Sequence, residues 1–223
     1  MANRNRRYAL AAVALTFLFV AIPASARAAT ITVNSTMDDT NAGHCTLREA
    51  ITSANGTSSG IGNCTTGTGT DTIEFTVTGT ITLGSTLPSI ANTLTITGPT
   101  GSSGITISGG GLVQLMQVST GVTLNLQSLT LTDGNETGSG GDFASSGLGG
   151  AIFNNGTLTV TNSIFSGNQA AGGTGTEFSG SGEGGAIFNN SGTVTVTNST
   201  FSSNTVFGGF GTFFGNSPRR RHL

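Results

Sequence analysis

The stretch GGAIFNN at residues 149–155 decides the fold, because it recurs unchanged at residues 184–190, 35 residues later. One residue, Ser191, is then inserted, and FSGN at 165–168 recurs as FSSN at 201–204, 36 residues later. The intervening loops match as well, since DF at 142–143 aligns with EF at 177–178 and then with FF at 213–214. A fixed internal period of this length indicates a repeat architecture.

Each repeat contains segments in which apolar and polar residues alternate, as in LTVT at 158–161 and VTVT at 194–197. This alternation is typical of β-strands. Earlier segments with the same pattern lie at 73–77, 81–83, 94–96, 105–107 and 122–126. A sandwich would also supply many short strands, but it would not repeat both its strands and its loops at one period.

Three strands near Ile152, Leu158 and Ile164 are expected to form one coil, with residues 170–182 as a long loop leaving it. Such coils stack with each strand about 4.8 Å from its equivalent. We therefore predict an all-β fold, a right-handed parallel β-helix (solenoid), over residues 71–217.

Stacking of the coils predicts that like residues lie over like. The phenylalanine pairs expected inside the tube are Phe153 with Phe188 and Phe165 with Phe201. The asparagine pairs expected at the corners are Asn154 with Asn189 and Asn168 with Asn204. Such amide ladders satisfy corner backbone groups as well as each other.

Composition excludes several classes of function. Of 223 residues, 36 are Gly and only 8% are charged, and all eight basic residues are Arg. Seven of these Arg residues lie near the two chain ends, so residues 29–216 carry ten acids and one base, a formal net charge of −9. A nucleic-acid or anionic-membrane partner is therefore excluded, because such surfaces need clustered cations.

Residues 1–28 have the pattern of a secretory signal peptide. Three Arg precede an apolar run at 9–22, and small residues follow through Ala29. The run is short for a bilayer span, although a retained membrane anchor is the alternative. We expect an exported protein that is extracellular, on the cell surface or associated with the outer membrane, and that does not span a membrane after signal cleavage.

One helix is predicted before the strands, in a cap formed by residues 29–70. Thr46 followed by Glu49 is a capping box, and the residues after Thr46 place one apolar face on the helix. That face consists of Leu47, Ala50, Ile51 and Ala54. A helix here would cover the first strand edges and the apolar end of the stack.

The string CTLREA at residues 45–50 resembles Cys-Ser-Leu-Arg-Glu-Ala (CSLREA), for which an N-terminal domain of bacterial exported proteins is named. Thr46 stands where that string has Ser. The resemblance extends through ITVN at 31–34, the pair Asp38 and Asp39, DTI at 71–73 and LTITGP at 94–99. Downstream, the GGAI and FxxN motifs resemble those of chlamydial polymorphic outer-membrane proteins, which implies a surface adhesin.

The two cysteines, Cys45 and Cys64, are expected to form a disulfide in an exported chain. A zinc site that includes His44 is the alternative, although the usual pair spacing of zinc ligands is missing. Arg48, the one basic residue of the body, is predicted to pair with Asp71, Asp38 or Asp39 in a structural role.

The loops carry the residues that we predict to bind a partner. Phe143 and Phe178 would form an exposed aromatic stripe that contacts a glycan or a host or cell-surface protein, or would pack the loops against the tube. Asp142 and Glu177 occupy equivalent loop positions, so they could hold Ca²⁺ or be two solvated acids. No other cofactor and no oligomeric state is predicted.

The expected function is that of an exported surface or secreted binding or structural module, an adhesin, with no catalytic residues. The alternative is a polysaccharide lyase or glycoside hydrolase of the parallel β-helix type. Such chemistry needs a base beside carboxylates, or carboxylates that converge on one cleft. The chain has no Lys, and no His between His44 and His222.

The last residues, 218–223, break the repeat where the next GGAIF is due and read PRRRHL. Codons for Gly-Gly-Ala-Ile-Phe-Asn read one base early can encode Arg-Arg-Arg-His-Leu-stop. We expect this tail to be out of frame and the chain to be truncated from a longer repeat protein. Translation of the adjacent DNA in the other frames tests this, and absence of a further GGAI copy would contradict it.

Overall fold

The computed structural model describes residues 28–40, 43–56, 62–100 and 104–211. The predicted signal peptide up to residue 27, the Phe213 and Phe214 pair and the tail at 218–223 lie outside these ranges. Within them the chain is mostly β-structure with one helix, α1, at Leu47–Ala54.

The strands are short and are numbered in chain order. They are β1 (Thr30–Val33), β2 (Asp71–Phe75), β3 (Gly79–Thr82), β4 (Leu94–Thr97), β5 (Ile105–Ser108), β6 (Met116–Val118), β7 (Thr123–Gln127), β8 (Leu129–Thr132), β9 (Asn135–Thr137), β10 (Gly141–Phe143), β11 (Gly147–Leu148), β12 (Ile152–Asn154), β13 (Thr157–Thr161), β14 (Ile164–Ser166), β15 (Gln169–Ala171), β16 (Gly175–Phe178), β17 (Gly182–Glu183), β18 (Ile187–Asn189), β19 (Thr193–Thr197), β20 (Thr200–Ser202) and β21 (Thr205–Phe207). The strands expected from the alternating segments all lie at or within two residues of the predicted positions.

Strand pairs within the described ranges are parallel. The largest sheet has the order β1-β2-β4-β7-β13-β19, and the next has the order β20-β14-β8-β5-β3. Smaller sheets are β18-β12-β6, β21-β15-β9, β10-β16 and β11-β17. From β2 onward, strands that follow one another in sequence belong to different sheets. The predicted all-β parallel fold is confirmed at this level.

The register between repeats is the one that the sequence predicts. Phe153 pairs with Phe188 across β12 and β18, and Leu158 pairs with Val194 across β13 and β19. Beyond the inserted Ser191, Phe165 pairs with Phe201. Equivalent residues of successive repeats are thus direct neighbours.

The core is built from ladders of apolar residues at alternate positions of the strands. One ladder in the largest sheet runs through Ile31, Ile73, Ile96, Leu126 and Val160, all of which are fully buried. Burying each such side chain contributes roughly 1.5–3 kcal/mol relative to an exposed one. Outward positions of the same strands carry mainly Thr, which suits a pleated, half-solvated surface.

The two phenylalanine stacks both form, but on opposite sides of the sheets. The rings of Phe165 and Phe201 lie 4.8 Å apart, and Phe165 is fully buried as predicted. The rings of Phe153 and Phe188 lie 5.7 Å apart and are only partly buried. Their predicted place inside the tube is wrong, because Ile152 is fully buried and its strand neighbour must point to the other face.

Asparagine ladders lie at the predicted positions. The Asn154 amide donates to the Asn189 oxygen at 2.7 Å, and the Asn168 amide donates to the Asn204 oxygen at 2.9 Å. Asn168 also accepts from the Gly134 backbone N–H at 2.8 Å, so the ladder satisfies a buried corner group.

The segment 170–182 is more ordered than the expected long loop. It contributes β15, β16 and β17, each paired with its equivalent in a neighbouring repeat. Glycine makes this close approach possible, since a Cβ on Gly180 would lie 1.8 Å from the Ser145 carbonyl oxygen. Each repeat therefore carries an arm, defined here as residues 138–146 and residues 172–181, that stacks on the arm of the next repeat.

Candidate functional site

The stacked arms place two phenylalanine rings side by side on the surface. Phe143 ends β10 and Phe178 ends β16, and the two residues pair across this short parallel sheet. Their ring centroids lie 5.4 Å apart at an interplanar angle of 17°. The side chains remain 71% and 57% exposed, so the rings are not packed against the sheets. This geometry favours the expected exposed aromatic stripe over the alternative, in which the two Phe side chains pack the loops against the tube.

Backbone contacts hold the arms that carry these rings. The Ala144 N–H donates to the Phe178 carbonyl at 2.9 Å, and the Gly173 N–H donates to the Ser145 carbonyl at 2.9 Å. Gly175 is required at the start of β16, because a Cβ there would lie 1.8 Å from the Phe178 carbonyl oxygen. The two rings are therefore carried by arms that are hydrogen-bonded to each other, and not by independent loops.

The arms also carry polar groups next to the rings. The Thr176 hydroxyl donates to an Asp142 carboxylate oxygen at 2.6 Å. The register shifts between Gly141 and Phe143, which places Asp142 against Thr176 although the sequence aligns it with Glu177. Thr176 is thus a site residue that the sequence comparison at a period of 35 misses, and a local period of 34 is the signal that finds it.

Glu177 is exposed on the same arm. Among the described residues, no group of three or more His, Cys, Asp or Glu side chains is placed to hold a metal ion.

The predicted cap residues lie together at the other end of the stack and have structural roles. Thr46 caps α1, accepting from the Glu49 N–H at 3.2 Å while Glu49 accepts from the Thr46 N–H at 2.9 Å. The apolar face predicted for α1 is buried, and the helix packs on β1 and β2. Among the described residues, one Glu49 carboxylate oxygen and the Ser53 hydroxyl are buried without a hydrogen-bond partner.

Arg48 pairs with Asp38, one of the three acids expected for it. Its guanidinium makes a two-pronged contact, donating to both carboxylate oxygens of Asp38 at 2.8 Å. It also donates to the carbonyls of Ser85 and Thr86 at 2.7 and 2.9 Å. Asp71 is instead fully buried and accepts backbone N–H groups, among them that of Ala29 at 2.8 Å. Arg48 therefore joins the cap to the segment after β3.

Cys45 and Cys64 lie at disulfide distance, with Cα atoms 4.8 Å apart, as the exported class of protein predicts. The alternative zinc site is not supported, because each sulfur contacts the other and His44 contacts Asp39 at 2.8 Å. The disulfide closes the cap around the start of α1.

Electrostatics around the arms are acidic. The two arms carry Asp142 and Glu177 and no base, and the one described arginine, Arg48, contacts Asp38 at the cap. Burial raises the pKa of Glu136, which lies in β9 just before the first arm. The field at the ring pair therefore disfavours anionic ligands.

A shallow groove of about 390 Å³ lies elsewhere, at the corners of the second sheet. It is lined by Pro99, Thr100, Gly104, Ile105, Ser128, Leu129, Thr130, Asn162 and Ile164. These residues include no acid and no base, so the groove offers no group for proton transfer.

Comparison of the chain with protein-family models, with curated proteins and with solved structures finds no match. Within the described ranges, no helix has the length and apolar character needed to cross a lipid bilayer.

Proposed function

We propose that this chain is an exported surface binding module, an adhesin, that recognises carbohydrate through the stacked rings of Phe143 and Phe178. The observation that carries this proposal is the ring pair itself, two large apolar side chains that contact each other and yet are mostly exposed. Exposed apolar surface rimmed by polar residues marks interaction sites in soluble proteins.

The proposed scaffold is a right-handed parallel β-helix. Supporting it, successive strands from β2 onward belong to different sheets, and equivalent residues of neighbouring repeats pair in register. A connection between parallel strands of one sheet is right-handed in about 98% of cases. In such a scaffold the arms project at a constant place on successive coils, which explains why the rings fall over one another.

The chemistry of the arms suits a sugar. A pyranose presents a face of C–H groups that packs on an aromatic ring, and hydroxyls that need hydrogen-bond partners. Near the rings, Asp142, Thr176 and Glu177 supply carboxylate and hydroxyl groups. A few polar groups beside an apolar contact fix the orientation of a ligand.

Charge narrows the class of glycan. The arms beside the rings carry Asp142 and Glu177 and no base, so a uronate or sulfated polymer would be repelled. We therefore assign the site to neutral or amino-sugar polymers. Export is supported by the pattern of residues 1–28, by the disulfide pair and by the resemblance to exported repeat proteins.

The test compares Phe143→Ala and Phe178→Ala with Leu112→Ala, a matched change at an apolar residue that is 81% exposed elsewhere. Glycan arrays select a neutral or amino-sugar polymer, and calorimetry gives its Kd for each variant. Each ring is expected to contribute about 1 kcal/mol, about fivefold in Kd, and the Leu112 variant should bind like the parent.

Equal binding by the parent and both phenylalanine variants would contradict the proposal. The same samples test the enzymatic alternative when product release from uronate and neutral polymers is followed. Turnover that disappears in Asp142→Asn would replace the binding module by a polysaccharide-active enzyme.

A further inference from the structure

The outer face of the largest sheet is built almost entirely from threonine. The inward residues of its strands form apolar ladders of the core, and the residues between them point to the outer face. Every outward residue of β1, β4, β13 and β19 is threonine, from Thr30 in β1 to Thr197 in β19. The exceptions lie in β2 and β7, where Glu74, Asn125 and Gln127 occupy outward positions. The outward residues of these six strands are called the threonine array below.

The register of the strands turns the threonine array into a lattice. The three outward threonines of β13 pair one to one with those of β19, as Thr159 does with Thr195. On its other side Thr159 pairs with Asn125, which pairs with Thr95 and donates to its hydroxyl at 3.3 Å. Paired residues lie about 4.8 Å apart across the sheet, and successive outward residues lie about 6.7 Å apart along a strand. Methyl and hydroxyl groups therefore recur in two directions at fixed spacings.

Strand propensity alone does not explain this choice of residue. Strands favour Val, Ile and Tyr as well as Thr, yet the outward residues of this sheet include no Val, Ile or Tyr. The second sheet is mixed at the equivalent positions, with Ile164 and Ser166 on β14 beside Thr130 and Thr132 on β8. The largest sheet is thus specific for a side chain that carries a methyl and a hydroxyl group on a stiff, branched Cβ.

The array is open to solvent because of its orientation and not because of where the described chain ends. A further strand beside β19 would lengthen the sheet and leave its outer face uncovered. Thr30 and Thr32 at the first edge are exposed, and so is Thr195 in the last described strand. Helix α1 packs on β1 and β2 from the core side, because its apolar residues belong to the same buried cluster as Ile31 and Ile73.

We propose that the threonine array is a binding face for ice. Water molecules in ice are bonded tetrahedrally at about 2.75 Å, so second-neighbour oxygens lie about 4.5 Å apart, and the lattice repeats about every 7.3 Å along its hexagonal axis. The array offers about 4.8 Å and about 6.7 Å in two directions, which differ from these repeats by roughly a tenth or less. Hydroxyls of neighbouring strands can therefore take places in the lattice together.

The chemistry of the array also fits an ordered water surface. Threonine hydroxyls donate and accept hydrogen bonds as water does, and the methyl groups between them restrict the orientation of first-shell water. Glu74 is the one ionisable group among the outward residues of this sheet, so few charges draw water into a different arrangement. Stiff side chains lose little rotamer freedom when they are fixed at the surface. This function is independent of the arms, because Phe143 and Phe178 lie on a different sheet.

Thermal hysteresis, the gap between the melting and freezing temperatures of a single ice crystal, tests the proposal on the full chain. The parent should shape the crystal and give a gap that widens with protein concentration. Thr159→Lys places a long charged side chain in the middle of the array and should abolish most of the gap. Thr130→Lys makes the same change at a partly exposed outward residue of the second sheet and should leave the gap unchanged.

Thermal melts show whether each variant keeps the fold of the parent. Thr195→Lys, at an exposed position of the array, repeats the test should Thr159→Lys fail to fold. A parent that neither shapes ice nor gives hysteresis would overturn the proposal, whatever its binding to glycans. Full hysteresis in a folded array variant, or an equal loss in the Thr130 control, would overturn it as well.

Discussion

Single Phe→Ala substitutions distinguish side chains that point into the stack of strands from side chains that point out of it. Phe165 is fully buried, and its ring lies 4.8 Å from that of Phe201 on β20. Phe165→Ala removes a whole buried ring and leaves a cavity that rigid ladders on both sides cannot close. The expected loss in the free energy of unfolding is about 4 kcal/mol, within the range for buried aromatic truncations.

The same substitution should cost less at the other positions. Phe201→Ala should cost about 2 kcal/mol, because the ring is 43% exposed and roughly half of the transfer term is absent. Phe153→Ala should also cost about 2 kcal/mol, because its ring lies on the outer face but is partly buried and contacts the ring of Phe188.

Urea unfolding followed by circular dichroism measures all three variants, and unchanged m values show that the same surface unfolds in each. The predicted destabilisation is largest for Phe165 and smaller for both Phe201 and Phe153. A loss at Phe153 that equals or exceeds the loss at Phe165 would refute the assignment of inner and outer faces.

Three further predictions concern the cap and the acid before the first arm. Replacing Cys45 and Cys64 by Ser should lower the free energy of unfolding by about 3 kcal/mol, and a urea midpoint equal to the parent's would argue against the bridge. Arg48→Met should cost about 3 kcal/mol, because the Asp38 side chain, 7% exposed, would lose its cation; recovery of stability in the Arg48→Met, Asp38→Asn double variant checks this reason. Burial raises the pKa of Glu136, so the folded chain binds its proton more tightly than the unfolded chain does, and stability should fall as pH rises above the ordinary value of 4.5. Glu136→Gln should remove that fall, and urea midpoints that keep the same pH slope in this variant would contradict the cause.

The sequence predicts the strands and their register because both follow from repetition. The one-residue insertion at Ser191 changes the offset from 35 to 36, and the pairing of Phe165 with Phe201 follows it. The helix and its cap were also predictable, since Thr46 and Glu49 have the spacing that lets each satisfy the other.

The facing of side chains was harder to predict. Ile152 and Phe153 are adjacent apolar residues, so the alternation of β12 can be read in two phases, and only packing selects Ile152 for the core. The arms escaped the strand prediction because their residues are mainly Gly and Ser and do not alternate with apolar residues, and Gly is depleted in strands. Their pairing depends on contact with the next arm, and the same contact produces the shift that brings Thr176 to Asp142.

The stacking of equivalent residues in register is tested most directly by cysteine pairs on the outer face of β13 and β19. Thr159 pairs with Thr195, and in a parallel ladder such residues lie about 4.8 Å apart, within the Cα range of a disulfide. Thr159 and Thr197 are two residues out of register, at a diagonal distance of about 8 Å, which is too long for the bond.

Peptide mapping by mass spectrometry after mild oxidation identifies the bond, separately from the Cys45–Cys64 pair. A bond in Thr159→Cys, Thr195→Cys and none in Thr159→Cys, Thr197→Cys is the predicted result. Bonding in the second variant, or in neither, would contradict the register on which the fold and the ring pair both depend.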